Sequence, residues 1–258
     1  EERGSGPTVL LASHWSLHPM LWDQITAELE RDHRVVRYDD RGTGLSERTG
    51  PYGIDTGVAD MEVVAEAAGG GPTVVLGVMD GVNKAVRLAA RRPDLISHVV
   101  SAGGAPLSRH AFSDDTSMIA SNTVVAAFMQ QLEADYRGAV RGLIESTNPR
   151  MGLDDVRARV AGQVEHVPAE AAIARVEEWA EDTGAEEPAR QLGARLVVLL
   201  SADVGAGWFP KPDVLGPLVR RHMPEAVVAE VADGIISRPE LTAAVIRERT
   251  RADVESPA

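Results

Sequence analysis

The stretch Thr73-Val74-Val75-Leu76-Gly77-Val78-Met79-Asp80-Gly81 decides the fold. A β-branched apolar run leads into two glycines that are separated by three residues. A helical pattern follows and continues to Arg91-Arg92, where Pro93 ends it. A buried strand, a tight turn and a helix in this order predict one unit of a mostly parallel α/β sheet.

Similar apolar runs recur on both sides of this unit. They cover residues 8–11, 34–38, 96–101, 195–200 and 226–231. A helix is predicted over residues 21–31, because Leu21, Ile25 and Leu29 share one face, and a last helix over 239–251. The chain is therefore predicted to be an α/β protein with helices on both faces of a central sheet.

The strand-like runs stop between residues 109 and 192. Amphipathic helical stretches at 116–132, 136–145, 153–166 and 169–181 replace them. This change predicts an inserted helical lid at 109–192, with the two parts of an α/β core at 1–108 and 193–258.

Composition excludes several classes of function. The 258 residues carry a net charge of −13, which disfavours nucleic-acid binding, and the absence of cysteine excludes disulfides and thiolate chemistry. Only Lys84 and Lys211 could form a Schiff base. With no long apolar run and no signal-peptide pattern, we expect a cytoplasmic protein without membrane contact. We expect no cofactor, and the oligomeric state stays open, a homodimer included.

Four motifs, taken in order, make the chain resemble the α/β-hydrolase superfamily, in the branch of enol-lactone hydrolases and related esterases. They are Leu21–Gln24, Tyr38–Ser46, Gly50–Tyr52 and the Gly77–Gly81 elbow. The resemblance implies an α/β-hydrolase fold with a helical lid over a small-molecule cleft. Members of the superfamily usually begin with a β-hairpin, of which residues 1–6 would be a stub.

The resemblance also implies a catalytic triad that this chain does not keep. The elbow serine corresponds to Met79, whose thioether has no proton to lose and is no acyl-transfer nucleophile. The histidine after the last strand corresponds to Ile235 in the pair Gly234-Ile235, while Asp203 matches the acid position. The sequence therefore predicts a degenerate triad.

Acid–base chemistry could instead come from the loop after the first strand. His14 and His18 lie there, and histidine exchanges protons near neutral pH. Asp80, which follows the elbow, is the candidate for a displaced nucleophile, although a shift of one residue moves its side chain away from the tip. These three residues and Asp203 are the predicted catalytic candidates, and we predict no metal site.

Large or apolar side chains are predicted to wall a dry pocket for a largely apolar substrate. The predicted substrate-binding residues are Ser13, Trp15, Asp40, Met79, Phe128, Met129, Trp179, Trp208, Phe209 and Ile235.

Three functions follow from this pattern. The favoured one is a non-hydrolytic enzyme that holds a reactive conformer for a cyclisation, elimination or isomerisation, as in natural-product (polyketide) tailoring. The second is a pseudoenzyme that binds a ligand or a partner protein. The third is a hydrolase with a relocated nucleophile or base.

Overall fold

The computed structural model describes most of the chain. It covers residues 1–12, 14, 22–102, 104–108, 116–147, 151–201, 211–231 and 238–255, with the backbone alone for 116–121, 147 and 252–255.

A seven-stranded sheet forms the centre of the molecule. Its strands are β1 (Glu2–Arg3), β2 (Thr8–Ala12), β3 (Arg34–Arg37), β4 (Thr73–Gly77), β5 (Ile96–Ala102), β6 (Leu196–Ser201) and β7 (Val227–Val231). The spatial order is β1-β3-β2-β4-β5-β6-β7, and only the short β1 is antiparallel to its neighbour. The strand β4 is therefore central, and whatever follows it lies in the middle of one sheet edge.

The helices follow the strands along the chain. They are α1 (Asp23–Leu29), α2 (Ile54–Ala67), α3 (Asp80–Arg91), α4 (Thr116–Ala134), α5 (Tyr136–Thr147), α6 (Leu153–His166), α7 (Ala169–Glu181), α8 (Glu186–Leu192), α9 (Pro212–His222) and α10 (Pro239–Glu255).

Two apolar layers, one on each face of the sheet, form the core. Because strand side chains alternate between faces, Leu10 and Val75 pack with α2, α3, α8 and α9, whereas Val9 and Val74 pack with α1 and α10. Both faces of the parallel strands are covered, which explains their continuous apolar runs. The predicted α/β class is confirmed.

The helices α4 to α7 occupy the segment predicted as a lid. We use the word lid as a name for these four helices. The helices α4, α5 and α7 share an apolar cluster that includes Val125, Leu132 and Val176, which we call the lid cluster. The helix α6 packs on α5 in a second cluster, through Val156 and Val140. The helix α7 packs on α2 and α3 of the core. It is thus the lid helix that faces the end of β4.

Three helices were not among the predicted elements, namely α2, α8 and α9. The helix α2 buries Ile54, Val58, Met61 and Ala65 at helical spacing, so its apolar stripe was present in the sequence. Every helix in the described part of the chain is too short or too polar to cross a bilayer.

Candidate functional site

Met79 lies at the tip of the turn between β4 and α3. Its backbone has φ 50° and ψ −119°, and it is the one non-glycine residue with positive φ among those described. A Cβ on Gly77 would come within 3.0 Å of the Val82 nitrogen, so this close turn requires glycine there. A strained residue between a strand and a helix is the geometry of a nucleophile elbow, here with a thioether at its tip.

Asp80 is the first residue of α3, and its carboxylate turns into the protein. It is 3% exposed. Arg175 Nη2 on α7 donates to Asp80 Oδ2 at 2.7 Å and to Asp40 Oδ2 at 2.6 Å. The sequence predicted Asp80 as a catalytic candidate and Asp40 as a substrate-binding residue, and the fold brings both carboxylates to one guanidinium.

Lys84 completes this group one turn further along α3. Its Nζ donates to both oxygens of Asp40 at 2.9 and 3.0 Å and lies 3.4 Å from Asp80 Oδ2. A Cβ on Gly57 would lie 2.5 Å from Lys84 Cδ, so the glycine of α2 makes room for the lysine stem. We call Asp40, Asp80, Lys84 and Arg175 the buried quartet; two carboxylates and two cations make it formally neutral.

The pairing sets the charge of Asp80. Burial alone would raise the pKa of its carboxyl, but Arg175 and then Lys84 lower that pKa to about 2. The same pairing keeps Arg175 charged. Burial alone would lower the pKa of its guanidinium, but the charges of Asp40 and Asp80 raise that pKa above its ordinary value. Both groups are ionised at neutral pH, and each neutralises the other.

His14 is also buried, at 6% exposure, close to the quartet. Burial lowers the pKa of its imidazole to about 3, opposed by the charge of Asp80 and assisted by Arg175. The ring is therefore neutral at physiological pH. A base of this strength is poorly matched to proton transfer near pH 7, which weakens the predicted catalytic role of His14.

Two further acidic residues hold α7 on the core. Glu178 Oε1 accepts from the backbone amide of Ile54 at the start of α2, at 2.8 Å. Asp182, just after α7, accepts from Asn83 Nδ2 at 2.6 Å and from Arg87 Nη1 at 3.0 Å. Together with Arg175 these residues follow one side of the helix at spacings of three and four.

Three predicted wall residues belong to the lid cluster. Phe128 is buried with Val125 and Val176, and Met129 and Trp179 pack against the same cluster. Their observed contacts are lid packing, so their role in substrate binding stays a prediction. The remaining predicted residues lie outside the described part of the chain. They are Ser13, Trp15, His18, Asp203, Trp208, Phe209 and Ile235.

A surface cavity of about 560 Å³ lies on the seam between lid and core. Trp22, Tyr38, Leu45 and His166 are among its lining residues, and Leu45 is fully exposed at its rim. Met79 is not among the described residues that line it. The cavity is thus lined by the turn after β3 and the end of α6, and the elbow does not contribute to it.

A threonine hydroxyl, that of Thr250, contacts the imidazole of His33 on the side of the molecule opposite the elbow. His33 lies 2.8 Å from Asp32 Oδ1 through Nδ1 and 3.0 Å from Thr250 Oγ1 through Nε2. This group stands just before β3 begins, at the sheet edge opposite the elbow, and both His33 and Thr250 are buried. It joins α10 to the end of α1 and is structural.

Sequence reasoning assigned no role to Arg175, which completes the buried quartet, or to Glu178 and Asp182, which anchor α7 outside it. The available signal was Arg175 itself, a cation three residues after Ala172 on the apolar side of α7. The sequence singled out Lys84 only as one of two lysines. Within the described residues, no group of histidine, aspartate and glutamate side chains could hold a metal ion.

No protein-family model matches the chain. A protein of Caulobacter segnis named as a carbamate hydrolase, RutD, is 35% identical over 99 residues, which is 37% of each chain. The lipase LipV of Mycobacterium tuberculosis is 32% identical over 97 residues, again 37% of each. The chain thus matches little more than a third of the length of these curated relatives.

The solved structures match over almost the whole length. A hydrolase from Oleispira antarctica has a TM-score of 0.80 at 15% identity, covering 97% of this chain and 93% of that one. This chain has the α/β-hydrolase fold. The predicted α/β-hydrolase resemblance is confirmed at the level of the fold. In an α/β-hydrolase fold the turn after the central strand carries the nucleophile, and here Met79 stands on that turn.

Proposed function

We propose that this chain converts an apolar, carbonyl-bearing small molecule without forming an acyl-enzyme, by a cyclisation, elimination or isomerisation. Met79 at the strained tip of the elbow is the observation that carries the proposal. A thioether cannot lose a proton and attack an acyl carbon. Its apolar side chain instead supplies a surface for the body of a ligand. A role in natural-product tailoring would suit such a pocket.

The backbone of the elbow keeps a feature that binds oxygen. As the first residue of α3, Asp80 has an amide without an intrahelical acceptor, at the positive end of the helix. Its own carboxylate would oppose a developing anion, but Arg175 and Lys84 neutralise it. The amide can therefore polarise a ligand carbonyl or stabilise an enolate.

A second candidate is a binding protein without turnover. The pKa of His14 is lowered to about 3, chiefly by burial, and the carboxylate of Asp80 is ion-paired with Arg175. These groups are poorly suited to exchanging protons at neutral pH, which favours binding alone. The third candidate, a relocated hydrolase, draws support from the names of the relatives. Against it stands Asp80, whose carboxylate is bound to Arg175.

Mass change in the ligand separates the three candidates. The protein would be incubated with a panel of aryl ketones, β-diketones, lactones and 4-nitrophenyl esters, followed by chromatography and mass spectrometry. A product of unchanged mass or one that has lost water supports the proposal, and a bound but unaltered compound supports the binding protein. Hydrolysis by the wild type contradicts the proposal. It is seen as a lactone that gains one water, or as an ester that takes up water and is split into a carboxylic acid and 4-nitrophenol.

Two variants show whether the elbow is the site. Met79→Trp fills the space at the tip of the turn and is expected to abolish conversion. Val63→Trp places the same side chain on α2, where the valine is 65% exposed, and should leave conversion unchanged. If both variants convert the substrate at the same rate, the elbow is not part of the substrate site.

A further inference from the structure

We propose that Arg175 is a positioning residue that couples the docking of α7 to the charge beside the elbow. When α7 lies on the core, Arg175 neutralises Asp80; when α7 is absent, that neutralisation is lost. The consequence for ligand binding rests on the proposed function. The consequence for the ionisation of Asp80 does not.

Arg175 is the specific partner of Asp80. Among the described residues it is the side chain that donates a hydrogen bond to Asp80 Oδ2, at 2.7 Å, while Oδ1 is buried without a hydrogen-bond partner. Lys84 Nζ lies 3.4 Å from Asp80 Oδ2, but it donates hydrogen bonds to the two oxygens of Asp40. The counter-charge of Asp80 is thus supplied largely by the lid.

Within the described part of the chain, the surroundings of Asp80 offer no replacement for that charge. The charged and titratable groups that face Asp80 are His14, Asp40, Lys84 and Arg175, and Tyr38 lies close to Asp40. His14 is neutral at pH 7 and supplies no cation. Burial raises the pKa of the Tyr38 phenol well above its ordinary value, so that side chain stays neutral and adds no third anion. Without Arg175, two buried carboxylates would share one lysine.

The other anchors of α7 do not touch Asp80. Glu178 binds the Ile54 amide, and Asp182 binds Asn83 and Arg87. A substitution of Arg175 therefore removes the counter-charge while two further anchors still hold the helix. Asp182→Asn does the reverse, because it weakens an anchor and leaves the charge of Asp80 neutralised. It is the matched control.

Coupling of this kind is reciprocal. If a docked α7 makes the elbow amide a better site for a carbonyl oxygen, then a bound carbonyl compound stabilises the docked α7 by the same factor. In coupled systems, one event commonly changes the binding affinity of the other about five- to a hundredfold. We expect the docking of α7 to change the affinity for the carbonyl compound by a factor in this range.

The first measurement is the melting temperature between pH 4 and pH 8. In the wild type the pKa of Asp80 is lowered to about 2, so its contribution to stability is complete above its ordinary value and is lost only as the pH falls towards 2. In Arg175→Met the pKa is expected to rise instead, so the deficit against wild type should widen as the pH rises from 4 to 8. Arg175→Met/Asp80→Asn should remove that widening, and Arg175→Lys should reduce it.

Two results would overturn the proposal and leave Arg175 with a packing role only. One is a loss of melting temperature in Arg175→Met that does not depend on pH. The other is a double variant that melts below Arg175→Met at every pH. Should Arg175→Met fail to fold, Asp80→Asn replaces it. The stability of that variant must fall less than that of the wild type between pH 4 and pH 2.5, and an equal fall overturns the proposal.

The second measurement is binding of the fluorescent ketone 6-propionyl-2-dimethylaminonaphthalene. We expect Arg175→Met to bind it about five- to a hundredfold more weakly than wild type, and the double variant to recover most of the loss. Asp182→Asn should bind with wild-type affinity. The same naphthalene without the propionyl group should not distinguish the variants. If the ketone does not bind the wild type, the proposed function fails, while the pH dependence of stability still decides the role of Arg175.

Discussion

The guanidinium of Arg175, on the lid helix α7, donates to the carboxylate of Asp80, the first residue of α3, at 2.7 Å. Ninety-five positions separate the two residues. This contact places a residue of α7 beside the elbow and neutralises the charge of Asp80, the residue predicted as a candidate for a displaced nucleophile. It explains how a buried acidic side chain is tolerated directly after Met79.

Asp182 is expected to contribute to the docking of α7. Asp182→Asn should lower the free energy of unfolding by about 1–3 kcal/mol, because Arg87 and Asn83 lose a charged acceptor at a partly buried site. Urea unfolding measures this difference. Glu177→Gln, on the exposed side of the same helix, should stay within about 0.5 kcal/mol of wild type. Equal effects would show that Asp182 does not anchor the lid.

The backbone at Met79 is expected to resist β-branched residues. Its φ of 50° lies where a branched Cβ clashes with the backbone, so Met79→Val should be about 1–3 kcal/mol less stable than Met79→Ala. Thermal unfolding of the two variants measures this difference, because they differ only in the side chain at position 79. Equal melting temperatures would contradict the strained elbow.

His14 should make the protein sensitive to acid. Its pKa falls from 6.5 in the unfolded chain to about 3 in the fold, so its contribution to stability is complete above pH 6.5 and is lost as the pH falls towards 3. Between pH 7 and pH 4.5 the wild type should lose roughly 2 kcal/mol more than His14→Gln, measured by urea unfolding. His222→Gln, at a histidine paired with Glu186 near the surface, is the control. If wild type and His14→Gln lose the same free energy of unfolding between pH 7 and pH 4.5, the imidazole of His14 is not held neutral by burial and the prediction is wrong.

The strands β2, β4 and β6 could be predicted because each is a continuous apolar run buried on both faces. The elbow could be predicted because two glycines at a spacing of four fit a close turn, and the Gly77 contact with Val82 gives the reason. The helix α2 was missed although its buried residues have helical spacing. Its glycine at position 57 breaks the pattern, yet that glycine is needed for the stem of Lys84.

The buried quartet could not be predicted from local patterns. Arg175 and Asp40 are 135 positions apart, and their contact depends on how the lid rests on the core. An arginine on a helix is usually solvated, so Arg175 carried no chemical meaning until α7 was docked. For the same reason Asp80 was predicted as a candidate for a displaced nucleophile, whereas its carboxylate is bound by Arg175 within the protein.

The central claim is that the elbow forms no covalent acyl intermediate. Intact-protein mass spectrometry after incubation with 4-nitrophenyl acetate and, separately, a fluorophosphonate probe tests this claim most directly. The account predicts an unchanged mass for the wild type under conditions that label a serine esterase completely. A stoichiometric adduct that maps to a hydroxyl or carboxylate in the cleft, and that turns over with water, would contradict it.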